Sequence, residues 1–364
     1  MSKYFAIDQH ISVIADLKNI FGKLGHTIDD ICLSGHAAIM GRKIDSIPML
    51  DGNNWCGFVQ QRKWDEFFQA YPDLDEKYDG FICCYPPIFS YLYKRFKKPI
   101  IIDIPIRYEY PCQSSAEDWN NFNQYLQEGV DSKRIYLVAN SIYEKEYTKL
   151  FLDREVRYIP SLCLYTGMKY DPKRNEFIYR AAKSFSELNN TNFKLKNQVL
   201  AFGHPWQAVA EYSGVVHFPY NVSTMSTFEE YSANIPLFVP SLDFTMKLYS
   251  KGLAYRMLEQ ISWAGTFGRE SGSVIPVKPG MPDPNDFKNM EAVRYWMQFA
   301  DYYNETAMPH IVHFDTFDDL HDKAMHLDLN SISEKMKATN FIRQEKAIES
   351  WRTLLETVKN DHRL

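Results

Sequence analysis

Apolar and polar residues along this chain keep changing period, from alternation or short unbroken runs to recurrences of three and four. Tyr4 to Ile7 is a short apolar run ending in Asp8-Gln9-His10. Ile11, Ile14, Ala15, Leu17, Ile20, Phe21 and Leu24 then recur at helical spacing, and Gly25 stops the helix. Ile28 to Leu33 reads as the next strand, closed by Ser34-Gly35-His36. The pattern repeats with a helix over Lys63 to Gln69, a strand over Gly80 to Cys84, and a helix over Phe89 to Phe96. Ile100 to Ile104 has the apolar character of a strand buried on both faces. Trp119 to Glu128 is helical, Arg134 to Ala139 is a strand, and Ser141 caps a helix over Ile142 to Phe151.

The rhythm restarts near Pro160, after a short strand at Val156. Ser161 to Gly167 reads as a fresh first strand with a glycine stop, and Pro172 opens a helix running to about Leu188. Asn197 to Phe202 reads as a strand ending in Gly203-His204-Pro205-Trp206. Val215 to Ser241 reads as strand, loop, helix and strand. Helices are expected over Asp243 to Trp263 and Phe287 to Tyr303, with a Gly-, Pro- and Ser-rich loop from Phe267 to Asp286 between them. A strand over His310 to Phe314, a helix beginning at Thr316 and an amphipathic helix over Glu345 to Val358 complete the chain. Two successive sets of alternating strands and helices predict an α/β protein of two Rossmann-like, doubly wound domains with a cleft between them. The boundaries fall at residues 1–160, 161–335 and a closing helical segment, 336–364.

Length and composition narrow the picture. At 364 residues with 45% hydrophobic and 24% charged, the chain can bury real cores. Aromatic residues make up 15%, enough for aromatic-lined surfaces as well as cores. A net charge of −5 with no basic block argues against nucleic acid as a partner. The six cysteines fit no zinc spacing and read as reduced, buried thiols, which with the absence of a signal-like N-terminus suggests the cytoplasm. No apolar run reaches the ~18 residues of a membrane span, so only peripheral membrane association is left open.

Candidate chemistry lies at the ends of strands. In an open α/β sheet the carboxyl edge is the functional one. Asp8 and His10 fall there, and so do Arg107-Tyr108-Glu109-Tyr110 beyond the Ile100 strand, where Arg107 and Glu109 either contact a polyol or pair with each other at the surface. In the second half, Asn221, Ser223, Thr224 and Ser226 precede the helix of Phe228 to Ala233. A helix start there is either an ordinary capped end or a seat for phosphate, with Glu229 or Glu230 placed to accept from ribose hydroxyls. His217 ends the preceding strand and is placed either to reach that phosphate or to sit in the core. His204 and Trp206 flank a base or sugar, or pack in the core. Lys247, Lys251, Arg256 and Arg269 are the cations considered for neutralising a pyrophosphate. His310 and His313, three apart on a strand, point to opposite faces and do not share a metal.

Two segments resemble glycosyltransferases of the GT-B fold. Glu229-Glu230-Tyr231-Ser232-Ala233-Asn234-Ile235-Pro236 looks like the Glu-Ala-x-x-x-Gly-x-Pro segment of the donor helix, with Asn234 in place of Gly. Retaining members carry a second Glu eight positions earlier, where this chain has Asn221. Asp8-Gln9-His10, with the helix to Gly25, looks like the Gly-His-x-x-Pro segment of inverting members, in which the His is the general base. The resemblance implies a glycosyltransferase, hexosyl or pentosyl, moving sugar from a nucleotide-diphosphate sugar to a hydroxyl acceptor such as a glycan. It implies His10 as base, with Asp8 or Asp103 orienting the ring; the other reading of His10 is a helix-start residue. An ordinary His pKa of ~6.5 suits that base. The donor residues implied are His217, Asn221, Ser223, Thr224, Ser226 and Glu229, and the acceptor residues Arg107, Glu109 and His36. No metal and no cofactor beyond the nucleotide-sugar co-substrate are implied, and the last helix is expected to pack back on the first domain. A nucleotide-sugar epimerase and a non-catalytic carbohydrate-binding protein are the alternatives.

Overall fold

The structure, a computed structural model, describes residues 1–50, 61–110, 112, 115–181, 184–189, 191–253, 275–286 and 288–362. The chain forms two compact units. The first holds Met1–Ser161, Ser273–Pro276 and Lys346–Leu364; the second holds Leu162–Gly272 and Val277–Glu345.

The first unit is a six-stranded parallel sheet. Its strands are β1 (Lys3–Asp8), β2 (Thr27–Cys32), β3 (Gly80–Cys83), β4 (Ile100–Ile104), β5 (Ile135–Ala139) and β6 (Arg157–Tyr158). They lie in the order β2-β1-β3-β4-β5-β6. Every residue of β4 is buried, as its run of isoleucines requires of a central parallel strand. The crossovers carry α1 (Ile11–Lys23), α2 (Gln61–Ala70), α3 (Leu74–Lys77), α4 (Ala116–Asp131) and α5 (Ile142–Leu152). Helix α1 buries Ile11, Val13, Ile14, Leu17, Ile20 and Phe21 and gives way to Gly25 at φ 78°. Ser115 and Ser141 cap α4 and α5 by accepting from Asp118 N and Glu144 N, each at 3.2 Å. The expected helix over Phe89 to Phe96 is a 3₁₀ helix over Pro87–Tyr93. It turns Tyr93 inward to stack on Phe81 at 4.4 Å.

The second unit is a five-stranded parallel sheet. Its strands are β7 (Phe177–Arg180), β8 (Phe193–Leu195), β9 (Gly214–His217), β10 (Leu237–Pro240) and β11 (Val312–Phe314). The order is β11-β10-β9-β7-β8. Around them lie α6 (Lys196–Val199), α7 (Gln207–Ala210), α8 (Met225–Ser232), α9 (Leu242–Ser250), α10 (Met290–Met297) and α11 (Phe317–His326). Helix α12 (Leu329–His362) follows, and its residues beyond Glu345 belong to the first unit. The core is largely aromatic: Phe177, Phe185, Phe193, Phe218, Phe238, Phe244 and Phe314 pack together. At ~2–3 kcal/mol for each buried Phe, these rings contribute heavily to cohesion. Gly214 opens β9 because a Cβ there would lie 2.9 Å from Pro236 O on the neighbouring segment.

Three elements of this unit differ from the sequence expectation. The helix expected from Pro172 to Leu188 contains strand β7, with only a 3₁₀ turn at Ser186–Leu188. The strand expected over Asn197 to Phe202 is displaced to β8, and Lys196–Val199 is a single helical turn. The fresh strand expected over Ser161 to Gly167 is a 3₁₀ turn, Leu164–Thr166, between Cys163 at φ 52° and Gly167 at φ 62°. Two left-handed residues reverse the chain there, which no strand tolerates. Helix α9 also stops short of the expected Trp263: it ends at Ser250, with Lys251 as its cap and Gly252 at φ 67°, and residues 254–263 lie outside the described residues.

Candidate functional site

In a doubly wound sheet the crevice for ligand opens where successive crossovers leave in opposite directions. In the first sheet that point lies between β1 and β3, because β2 sits on the far side of β1. In the second it lies between β7 and β9, because β8 sits on the far side of β7. Each point carries a titratable cluster.

At the first, β1 delivers Asp8, fully buried. Its Oδ2 accepts from the His10 backbone N at 2.7 Å, and its Oδ1 accepts from Cys84 Sγ at 3.0 Å. Burial pushes the carboxyl up to about 7, against the pull of those two bonds. His10 takes the N-cap position of α1 in extended backbone without a side-chain cap bond. Its ring meets Tyr85 edge-on at 5.3 Å. Its Nδ1 has no hydrogen-bond partner among the described residues. Burial first, and the neighbouring His36 second, pull it down to about 4 instead of the ordinary ~6.5 expected of a free imidazole. The ring is therefore neutral at pH 7. Asp8 secures the loop through the His10 main chain rather than through the imidazole.

The other expected residues of this unit fall as follows. His36, exposed, stands close enough to influence the His10 ring. Asp103 on β4 is buried, and its carboxyl is pushed well above the usual range by burial and by Asp16 of α1. It faces that helix, and no bond joins it to His10 among the described residues. Arg107 and Glu109 pair at 2.8 Å, but the pair is buried, not on the surface. Tyr147 donates to Glu109 Oε1 at 2.8 Å, and its ring lies 3.9 Å under the Arg107 guanidinium. The pair and Tyr147 meet at Glu109 Oε1, while Glu109 Oε2 has no hydrogen-bond partner among the described residues.

At the second point, Arg180 ends β7 and His217 ends β9, and the two are register partners. Arg180 pairs with Glu230 at 2.5 Å. His217 is fully buried; burial first and Arg180 second pull it down to about 3, so it is neutral. Its Nε2 lies 3.3 Å from Thr227 Oγ1, which lies 2.8 Å from Thr224 Oγ1, which lies 3.3 Å from Ser226 Oγ. These hydroxyls form a chain across the start of α8. Thr224 is the N-cap, but its side chain does not accept from a first-turn N–H. Ser223 is buried beside it. Asn221 shapes the loop: its Oδ1 accepts from Val222 N at 2.8 Å, and its carbonyl accepts from Tyr302 at 3.0 Å. Glu229 is buried and accepts from the Tyr165 hydroxyl at 2.6 Å. Burial raises its carboxyl, and the Tyr165 bond and Arg180 oppose the rise.

Three residues here were not found by reading the sequence: Arg180, Lys196 and Tyr165. Lys196 starts the turn after β8 and is pulled down to about 8 by burial first and Arg180 second, while Glu230 and Glu229 hold it up. The signal for Arg180 was Phe177-Ile178-Tyr179, three strand-formers in front of it. Lys247 and Lys251 are exposed around the end of α9, and Arg256 and Arg269 lie outside the described residues. Trp206 meets Tyr165 edge-on at 5.9 Å, and His204 Nδ1 lies 2.8 Å from Ala201 O. Among the described residues no cluster of His, Cys, Asp or Glu has the geometry to hold a metal ion. Among them no helix is long and apolar enough to cross a membrane.

No protein-family model matches the chain, and no curated protein is similar to it. Among solved structures, the glycosyltransferase SnogD from Streptomyces nogalater aligns at TM-score 0.45 and 10% identity, over 98% of this chain and 99% of its own. A UDP-glucosyltransferase from Polygonum tinctorium, capable of glucosylating indoxyl, aligns at TM-score 0.40 and 10% identity, over 96% and 98%. Glycyrrhiza uralensis UGT73P12, complexed with glycyrrhetinic acid 3-O-monoglucuronide, aligns at TM-score 0.38 and 12% identity, over 96% and 100%. At those scores and identities no residue role passes from them to this chain.

Proposed function

We propose that this chain is a glycosyltransferase that moves a sugar from a nucleotide-diphosphate sugar to a hydroxyl acceptor. The observation that carries the reading is the cluster at the β7/β9 edge. Two cations, Arg180 and Lys196, a neutral His217, a chain of hydroxyls at the start of α8 and the carboxylate of Glu229 stand together there. Cations and a helix start suit a diphosphate. A carboxylate about one turn further along α8 suits the ribose diol. The tandem of two Rossmann-like units is the composition of a GT-B chain.

In this reading the second unit holds the donor, and Arg180 and Lys196 take up the charge of the departing diphosphate without a metal ion. The first unit holds the acceptor. His10, neutral at pH 7 and with Nδ1 unbonded among the described residues, accepts the proton of the acceptor hydroxyl. Asn221, where the resemblance puts the second Glu of retaining members, favours an inverting transfer.

The test is turnover of the common nucleotide sugars, with acceptor panels, in the presence of a chelator. His10→Ala is expected to lower kcat at least ~100-fold while leaving the donor Kd within about twofold. Equal loss of both would assign His10 a structural role, and no binding or turnover of any nucleotide sugar would end the proposal. One observation favours a second reading: two buried carboxylates, Glu229 and Glu230, lie with neutral His217 in the same cluster, the kind of groups an epimerase needs. Product analysis without acceptor separates the two.

A further inference from the structure

The short turn Leu164–Thr166 has a chemical consequence for the second unit. Its two left-handed flanks, Cys163 and Gly167, fold the chain back on itself, and Thr166 Oγ1 donates to Cys163 O at 3.1 Å to close the turn. Cys163 Sγ lies 3.9 Å from Met225 O, at the start of α8. The turn is thus fastened beside that helix, and Tyr165 reaches Glu229 Oε1 at 2.6 Å. Among the described residues this phenol is the one hydrogen-bond donor to the Glu229 side chain. Glu229 is 5% exposed and the phenol holds its Oε1, so a ligand hydroxyl reaches that oxygen only by displacing the phenol.

We propose that Tyr165 is a latch on the nucleotide site. It occupies the Glu229 carboxylate that a ribose diol takes when nucleotide binds, and so sets both the affinity and the hydroxyl-dependence of binding. This rests on the reading of the second unit as the nucleotide-binding one. The exchange is chemically matched: the phenol donates one charge-assisted bond, and the 2′- and 3′-hydroxyls donate up to two in its place. A nucleotide without those hydroxyls offers the carboxylate nothing and has no means of displacing the phenol.

The experiment measures Kd by calorimetry for the full chain and for Tyr165→Phe. The probes are uridine, guanosine and adenosine diphosphates, then the 2′,3′-dideoxy form of whichever binds most tightly. The variant keeps the ring and removes only the donor. It is expected to bind the ribonucleotide about tenfold more tightly and the dideoxynucleotide unchanged. In the unsubstituted protein, the Tyr165 ring-carbon resonance is expected to shift on adding the ribonucleotide and to stay in place with the dideoxy form. Weaker or equal ribonucleotide binding by Tyr165→Phe overturns the latch and makes Tyr165 a support for Glu229. Equal tightening of both nucleotides overturns it too, since the effect would not run through the diol. If none of the three diphosphates binds either protein, the nucleotide-site reading falls, and the latch with it.

Discussion

Lys196 shows how a side chain's surroundings become a measurable dependence. Burial and Arg180 bring its ammonium down to about 8. It is mostly charged at pH 7 and loses its proton as the pH rises through that value. If it helps hold a diphosphate, affinity must fall from pH 7 to 9. A nucleoside diphosphate titrated by calorimetry is expected to bind ~3–10-fold more weakly at pH 9, while Lys196→Met is weaker at pH 7 and flat across the range. A slope that survives the substitution would assign the effect elsewhere. Asp8, His10 and His217 were legible in sequence as strand-end residues because strand-formers precede each of them. Arg180 and Lys196 were not. Ile178, Ala181, Phe185 and Leu188 recur at three and four, so a helical period concealed the strand that places Arg180. Nor could spacing show that Arg107 and Glu109 turn toward Tyr147, since which way a loop side chain faces is decided by packing.

Caps and periodic faces were the most legible elements. Thr316 accepts from Asp319 N at 3.0 Å to begin α11, as its position before two acidic residues suggests. Short turns with left-handed residues were not legible, because Cys163 is no more inclined to positive φ than most residues. Asn234 is an exception. It adopts φ 61° at the end of α8, a conformation its residue type tolerates. It is also bonded there: Asn340 Nδ2 of α12 donates to Asn234 Oδ1 at 2.8 Å and to Tyr231 O at 2.7 Å. Asn340 is 1% exposed, so replacing it by Ala takes this donor from Asn234 Oδ1 and leaves Tyr231 O with only the Asn234 backbone N, at 2.9 Å. Asn340→Ala is expected to cost about 2 kcal/mol, read from the urea midpoint at unchanged slope. A loss under ~0.5 kcal/mol would show that water serves those acceptors equally well.

For the whole molecule, the alternating pattern was enough to indicate two parallel sheets, since only βαβ crossovers supply that rhythm. The path of the last helix was not encoded in any local pattern. In the first unit Trp351, Leu354, Leu355 and Val358 of α12 are buried, and the Trp351 ring meets Phe21 of α1 at 5.5 Å. Asp361 accepts from Lys133 Nζ at 2.8 Å and from the Tyr136 hydroxyl at 3.0 Å. Trp351→Ala is expected to destabilise the first unit by ~3–5 kcal/mol, seen as an earlier urea transition in hydrogen exchange of β1 and β2 amides. Unchanged protection of those amides would mean that α12 is dispensable to the sheet.

That return of the chain has a consequence for biosynthesis. The second unit is translated between two parts of the first. As the ribosome proceeds, the strands of the first sheet emerge early, but Phe21 and the α1 face wait for Trp351 until translation has passed through the whole of the second unit. The nascent first unit therefore keeps the Phe21 side of α1 uncovered while the residues of its neighbour are made.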